Sequence, residues 1–166
     1  MKNKRNRKKI KKPIPVSNEI NDWPNYYHTS KLNLILKPSS IQGAGLGVFT
    51  MDFIPENTII DEYKGELIET MEPRYNKYCY EIQQIDLEKN ISSIYVSAFK
   101  LPRCYMAMIN DASYNSEFTN NCDFEHSIEE RKVFVVSTRD IEPGEELFVI
   151  YGESYWDYFK KHPEWK

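Results

Sequence analysis

The chain has 166 residues, of which 40% are apolar, 28% charged and 14% aromatic, with a formal net charge of −3. Its length fits one domain with a real hydrophobic core. No apolar run approaches the roughly 18 residues of a membrane span, and no charged-then-apolar leader precedes a small-residue cleavage site. An intracellular protein without a membrane partner is therefore expected, in the nucleus or the cytoplasm. Cys79, Cys104 and Cys122 show neither the paired spacing of a zinc site nor the even count of a disulfide framework, so free thiols and no metal site are expected.

The charge is divided along the chain. Residues 1–12 carry eight Lys or Arg and no acid, which leaves 14 bases against 25 acids, a net of −11, for the remainder. The basic block is too polar to bury and reads as a disordered tail, with residues 1–30 as tail and linker together. It is a solubilising segment, a nuclear localisation signal or an arm that contacts DNA or nucleosomes. The acidic body attracts basic peptides and repels phosphate.

In chain order, the aromatic patch at residues 23–27 caps the domain edge. Leu32, Leu34 and Leu36 alternate with polar residues and predict a first strand. Gly43, Gly45 and Gly47 then make a loop whose backbone can approach something closely, without the spacing of a phosphate fingerprint. Residues 58–62 read as a β-branched strand that continues through Tyr63 to Ile68, changing direction at Gly65. Further strands are predicted over residues 78–82, 94–96, 122–124 and 133–137, with a loop at 86–93. Residues 105–111 are apolar and then abruptly polar. A turn at Glu142-Pro143-Gly144 leads into a short apolar run, residues 147–150, which reads as a buried strand ending at Tyr151-Gly152. Many short strands without a repeating βα period make a mainly β domain.

Four of these pieces resemble one family. Gly45-Leu46-Gly47-Val48-Phe49 resembles the G-x-G motif of the SET domain of protein lysine methyltransferases. Glu62-Tyr63-Lys64-Gly65-Glu66-Leu67-Ile68 resembles its E-Y-x-G-E-L-I segment. Met106 to Asp111 stands where that family has A-R-F-I-N-H, with Asn121 and Cys122 similar to the later part of that motif. Residues 144–156 resemble G-E-E-L-x-x-x-Y-G-x-x-Y-W. The resemblance spans residues 31–160, leaving 161–166 as a C-terminal tail, and is nearest to small standalone SET proteins of the viral kind. It implies a β-clip of several small sheets, a C-terminal pseudoknot and a short C-terminal helix.

The resemblance also implies a function: transfer of methyl groups from S-adenosylmethionine to lysine of a basic protein, a histone tail first among candidates. Ala44, Gly45 and Leu46 would approach the cofactor, Asn110 would bind it through its side chain and Asp111 through its backbone. Tyr63 would line the transfer region, Tyr151 would stand beside the transferring methyl, and Trp156 would pack near the cofactor. Ala107, Met108, Asp111 and Ala112 depart from the family's Arg, Phe, His and Ser. Asp111 and Ala107 favour the alternative of a catalytically inactive SET-like module that binds chromatin or proteins, whereas Tyr63, Asn110 and Tyr151 oppose it. Two residues before Tyr151, Val149 stands where residue size sets the number of methyls added, and its smallness implies di- or trimethylation. His28, His126 and His162 lie in no motif and read as surface or structural residues.

Overall fold

The computed structural model describes residues 25–71, 77–113 and 116–163. Residues 1–24, the basic block at 1–12 among them, and the last three lie outside the described residues. Residues 25–30, expected as the end of the linker, belong instead to the domain. Tyr26 and Tyr27 pair with Arg103 and Cys104, and the Thr29 and Ser30 hydroxyls donate to Asp61 Oδ1 and the Ile60 carbonyl at 2.7 and 2.6 Å.

Four small sheets make up the fold. Strand β1 (Tyr26–Tyr27), the described part of the aromatic patch, pairs in parallel with β8 (Arg103–Cys104). Strand β2 (Leu34–Pro38) runs antiparallel to β3 (Leu46–Thr50), with Leu34 and Leu36 buried as their alternation predicts. A third sheet has the order β4 (Ile59–Glu62), β10 (Lys132–Ser137), β9 (Cys122–Ser127). The fourth has β5 (Glu66–Ile68), β7 (Ile91–Ser97), β6 (Cys79–Ile85). Gly65 lies between β4 and β5 because the chain there presses on the end of β7: a Cβ on it would meet the Ser97 carbonyl oxygen at 2.4 Å. One helix, α1 (Glu153–Lys161), closes the described chain.

The sheets share one core, in which Leu34, Val48, Ile54, Ile82, Ile109, Val133, Ile141 and Leu147 are almost wholly enclosed. Burying such side chains is worth about 1.5–3 kcal/mol each. That is how sheets of two and three short strands hold together in a single body.

The buried strand expected at 147–150 is extended but joins no sheet as a strand. It changes partner every second residue. Glu146 bridges Phe49 of β3 in antiparallel sense, and Phe148 bridges Asn110 in parallel sense. The Leu147 amide donates to the Val48 carbonyl at 2.8 Å and the Val149 amide to the Asn110 carbonyl at 3.0 Å. The Phe148 carbonyl accepts from the amides of Asn121 and Cys122 at 3.1 and 2.9 Å. The segment therefore runs between β3, the 109–111 stretch and the start of β9, the threaded crossing that the pseudoknot requires and that few folds contain. Leu147, Phe148 and Val149 are buried, whereas Ile150 at the exit is 54% exposed.

Candidate active site

The crossing is held by polar side chains that the sequence scatters widely. Asn121, 1% exposed, works as a surrogate strand: its Nδ2 donates to the Glu146 carbonyl at 2.8 Å, and its Oδ1 accepts from the Phe148 amide at 2.8 Å. Glu146 is buried with its carboxylate aimed at the glycine loop. It accepts from Ser39 Oγ at 2.7 Å, from the Ser40 amide at 2.6 Å and, at 3.4 Å, from Asn110 Nδ2. The last glycine of the loop exists for this carboxylate, since a Cβ on Gly47 would lie 2.0 Å from Glu146 Oε1. Gly43 and Gly45 have open space at the Cβ position and serve the turn by their φ of +83° and +81°.

Just beyond the crossing, the Tyr151 hydroxyl donates to the Ile109 carbonyl at 2.5 Å. Its ring stacks on Trp156 of α1 with centroids 5.9 Å apart at 21°, and meets the edge of Tyr155 at 4.6 Å. Burial, with Tyr155, Asp111 and Tyr78 nearby, pushes the Tyr151 phenol well above its ordinary pKa. Burial likewise raises Tyr63, with Cys104, Cys79 and Tyr151 adding to it. Both are neutral phenols at physiological pH, able to donate or accept a hydrogen bond but unsuited to act as a base.

Two cavities meet at Tyr151 and Tyr155. The narrow one, about 80 Å³, is lined on its aromatic side by Tyr63, Tyr80 and Phe124 and on its apolar side by Met106, Ala107 and Ile109. Phe124 stands edge-on to Tyr63 at 5.8 Å and tilted against Tyr80 at 5.1 Å. The wide one, about 430 Å³, is bounded by residues 41–44, Asn110, Asp111, Trp156 and Phe159. Lys77 lines both.

The expected site residues are brought together here, though not always in the expected manner. Ala44, Asn110, Asp111, Tyr151 and Trp156 line the wide cavity, and Tyr63 lines the narrow one. Gly45 and Leu46 line neither: their carbonyls accept from the Ser39 amide at 2.8 Å and from Asn110 Nδ2 at 2.9 Å. The Asn110 amide is thus committed to the loop. The Asp111 carboxylate turns inward and is 4% exposed. Val149 is fully buried in the core and lines neither cavity, so its small size opens no space there. The residue whose smallness does face the narrow cavity is Ala107.

Sequence reasoning missed Lys77, Cys79, Tyr80 and Phe124. The available signal was two aromatics, Tyr80 on β6 and Phe124 on β9, and only the packing of their two different sheets shows that they converge. Cys104 and Cys122 are buried free thiols, and burial pushes Cys122 up to about 12.

The model of the SET domain matches residues 45–152, well over half of the chain. The chain belongs to the SET domain family. Among solved structures, the methyltransferase domain of human PR domain-containing protein 2 superposes with a TM-score of 0.52 at 20% identity. That match covers 72% of this chain and 76% of the other. CpSET8 from Cryptosporidium superposes with a TM-score of 0.52 at 27% identity, covering 74% of this chain and 58% of that one. No curated protein matches the chain. SET membership and these neighbours support a function of the lysine methyltransferase type, and SET methyltransferase domains generally use S-adenosylmethionine. Among the described residues, no helix is long and apolar enough to cross a membrane.

Proposed function

We propose that this SET protein transfers methyl groups from S-adenosylmethionine to lysine side chains of a basic protein, a histone tail being the substrate class that suits it best. The observation that carries the reading is the meeting of a narrow aromatic cavity and a wide one of mixed lining at a single phenol, Tyr151. The wide cavity falls within the usual range for small-molecule sites, roughly 300–1,000 Å³. It is lined by Trp156, Tyr155 and residues 41–44. Those residues fit a nucleoside with an amino-acid arm, and the cofactor would supply an electrophilic methyl on a sulfonium.

The chain's own residues have three tasks. The first is to favour the neutral amine: a free lysine has a pKa near 10.4, so deprotonation at neutral pH costs about 4–5 kcal/mol. A cavity walled by Tyr63, Tyr80 and Phe124 lowers that cost by disfavouring the ammonium form. The second is alignment, which can lower a barrier by several kcal/mol when the reacting atoms are held in line. Tyr151 is suited to it because its proton is committed to the Ile109 carbonyl, which leaves oxygen lone pairs for an amine or a polarised C–H. The third is attraction of the substrate, for which the net charge of −11 beyond residue 12 serves. The apolar end of the narrow cavity at Ala107 leaves room for an amine that already bears a methyl, so di- or trimethylation is proposed. Residues 1–12 are proposed to contact DNA or nucleosomes, which makes the nucleus the fitting compartment.

Incubation with mixed core histones and isotopically labelled S-adenosylmethionine, followed by mass spectrometry, tests the transfer, its substrate class and the number of methyls together. Label on a histone lysine, advancing beyond one methyl with time, is expected. Cofactor binding without transfer to any protein would leave the inactive, binding-module reading in its place.

A further inference from the structure

Asp111 stands at the position where the family motif carries histidine, and the structure gives its carboxylate a task. Five neutral donors converge on it. Oδ1 accepts from the Ser113 amide at 2.7 Å, the Ser113 hydroxyl at 2.5 Å and Asn120 Nδ2 at 3.4 Å. Oδ2 accepts from the Tyr151 amide at 2.9 Å and from the Trp156 indole Nε1 at 2.9 Å. Hydrogen bonds to an ionised acceptor are roughly twice as strong as neutral ones.

The two bonds at Oδ2 tie the Tyr151 main chain to helix α1. One grips the main chain from which the Tyr151 side chain leaves. The other grips the indole on which the Tyr151 ring lies. Only a carboxylate can receive donors at both oxygens. An asparagine would turn an NH2 group toward one set of donors, and an imidazole offers at most one acceptor.

We propose that Asp111 is a positioning residue: by holding the Tyr151 amide and the Trp156 indole on one oxygen, it fixes where the Tyr151 hydroxyl stands. Its contribution to the placement of the phenol is read in kcat at saturating cofactor, because Trp156 also lines the wide cavity. This rests on the methyltransferase reading above.

The test compares wild type, Asp111→Asn, Trp156→Phe and the double variant for kcat, for S-adenosylmethionine affinity by calorimetry, and for the Trp156 indole N–H signal by NMR. Trp156→Phe removes the N–H, keeps a stacking ring, and assigns the signal. In the wild type, the indole proton should be shifted downfield and protected from exchange. In Asp111→Asn, kcat at saturating cofactor should fall by up to about 10²-fold, the scale expected for misplacement of the order of 1 Å, over and above any loss of cofactor affinity. The double variant should lose less than the product of the two single losses, because both act through one contact.

Wild-type kcat in Asp111→Asn, or a loss carried wholly by cofactor affinity, would overturn the positioning role. If Asp111→Asn does not fold, the wild-type indole signal and Trp156→Phe decide. A rapidly exchanging indole proton, or unchanged kcat in Trp156→Phe, overturns the role. A wild type that binds cofactor but methylates nothing overturns the function proposed above and this role with it, an outcome distinct from an active wild type insensitive to Asp111.

Discussion

At the scale of single residues, the site is held by hydrogen bonds from neutral donors to two buried carboxylates and by one phenol that stays protonated. Tyr151→Phe removes only the hydroxyl that meets the Ile109 carbonyl. Its thermal midpoint and cofactor affinity should remain close to wild type, while methyl transfer falls by about 10²-fold, the scale seen when one aligned hydrogen-bonding group is lost from an active site. Activity near wild type would remove Tyr151 from the reaction. Acid sensitivity follows from Asp111. Burial raises its pKa, but the Ser113 hydroxyl, the Tyr151 amide and the Trp156 indole outweigh that and hold it below the ordinary carboxylate value. A folded-state pKa lower than the unfolded one contributes stability in full above the unfolded value, about 3.9, and loses it as pH falls through the folded value. Melting followed by circular dichroism should therefore show Asp111→Asn losing less stability than wild type below about pH 4. Parallel curves would show that Asp111 is not held ionised by the fold.

At the scale of elements, the threaded 146–149 segment and the glycine loop form one unit joined by Glu146. Gly47→Ala places a methyl group against the Glu146 carboxylate and should destabilise the protein by about 1–3 kcal/mol, the usual cost of overpacking. Combining it with Glu146→Ala should recover part of that loss in urea denaturation; strict additivity would mean that the contact is not what the glycine serves. The same unit shows what the sequence could tell. Alternation placed Leu34 and Leu36 inward correctly, and the four motif pieces pointed to the family whose domain matches residues 45–152. What pattern could not show is that the apolar run at 147–149 shares its hydrogen bonds among three separate partners, because periodicity reports which face is buried and not who covers it. The β6–β7 hairpin was under-read for a different reason. The predicted strands 78–82 and 94–96 extend to Cys79–Ile85 and Ile91–Ser97, and at the far end Ile85 and Ile91 are 68% and 67% exposed. A hairpin end with no buried face carries no alternation to detect. Val149 was misjudged because the motif fixes its distance from Tyr151 along the chain, but not the direction of its side chain.

At the scale of the whole molecule, charge separation is the dominant feature: eight bases and no acids before residue 13, and a net of −11 after it. Removal of residues 1–12 should leave turnover on a short histone peptide unchanged and weaken binding to nucleosomes. The loss should be greatest at low salt, since each phosphate contact contributes to the salt slope through counterion release. Equal salt slopes for truncated and full-length protein in a DNA-binding titration would show that the block is no tether.

The threaded segment also dictates an order of events in time. Glu146 reaches its partner Ser39 across 107 residues of chain, Tyr151 reaches Ile109 across 42, and Asn121 reaches Phe148 across 27. Contacts between residues so far apart are slow to form, because loop closure costs entropy before any bond offsets it. The local hairpins β2–β3, β6–β7 and β9–β10 face no such delay. On dilution from denaturant, far-ultraviolet circular dichroism should recover first, and cofactor binding should return in a later, slower phase. The candidate site is thus the last of the described parts to assemble each time the chain folds, and a partly refolded population would hold native-like sheets without cofactor binding.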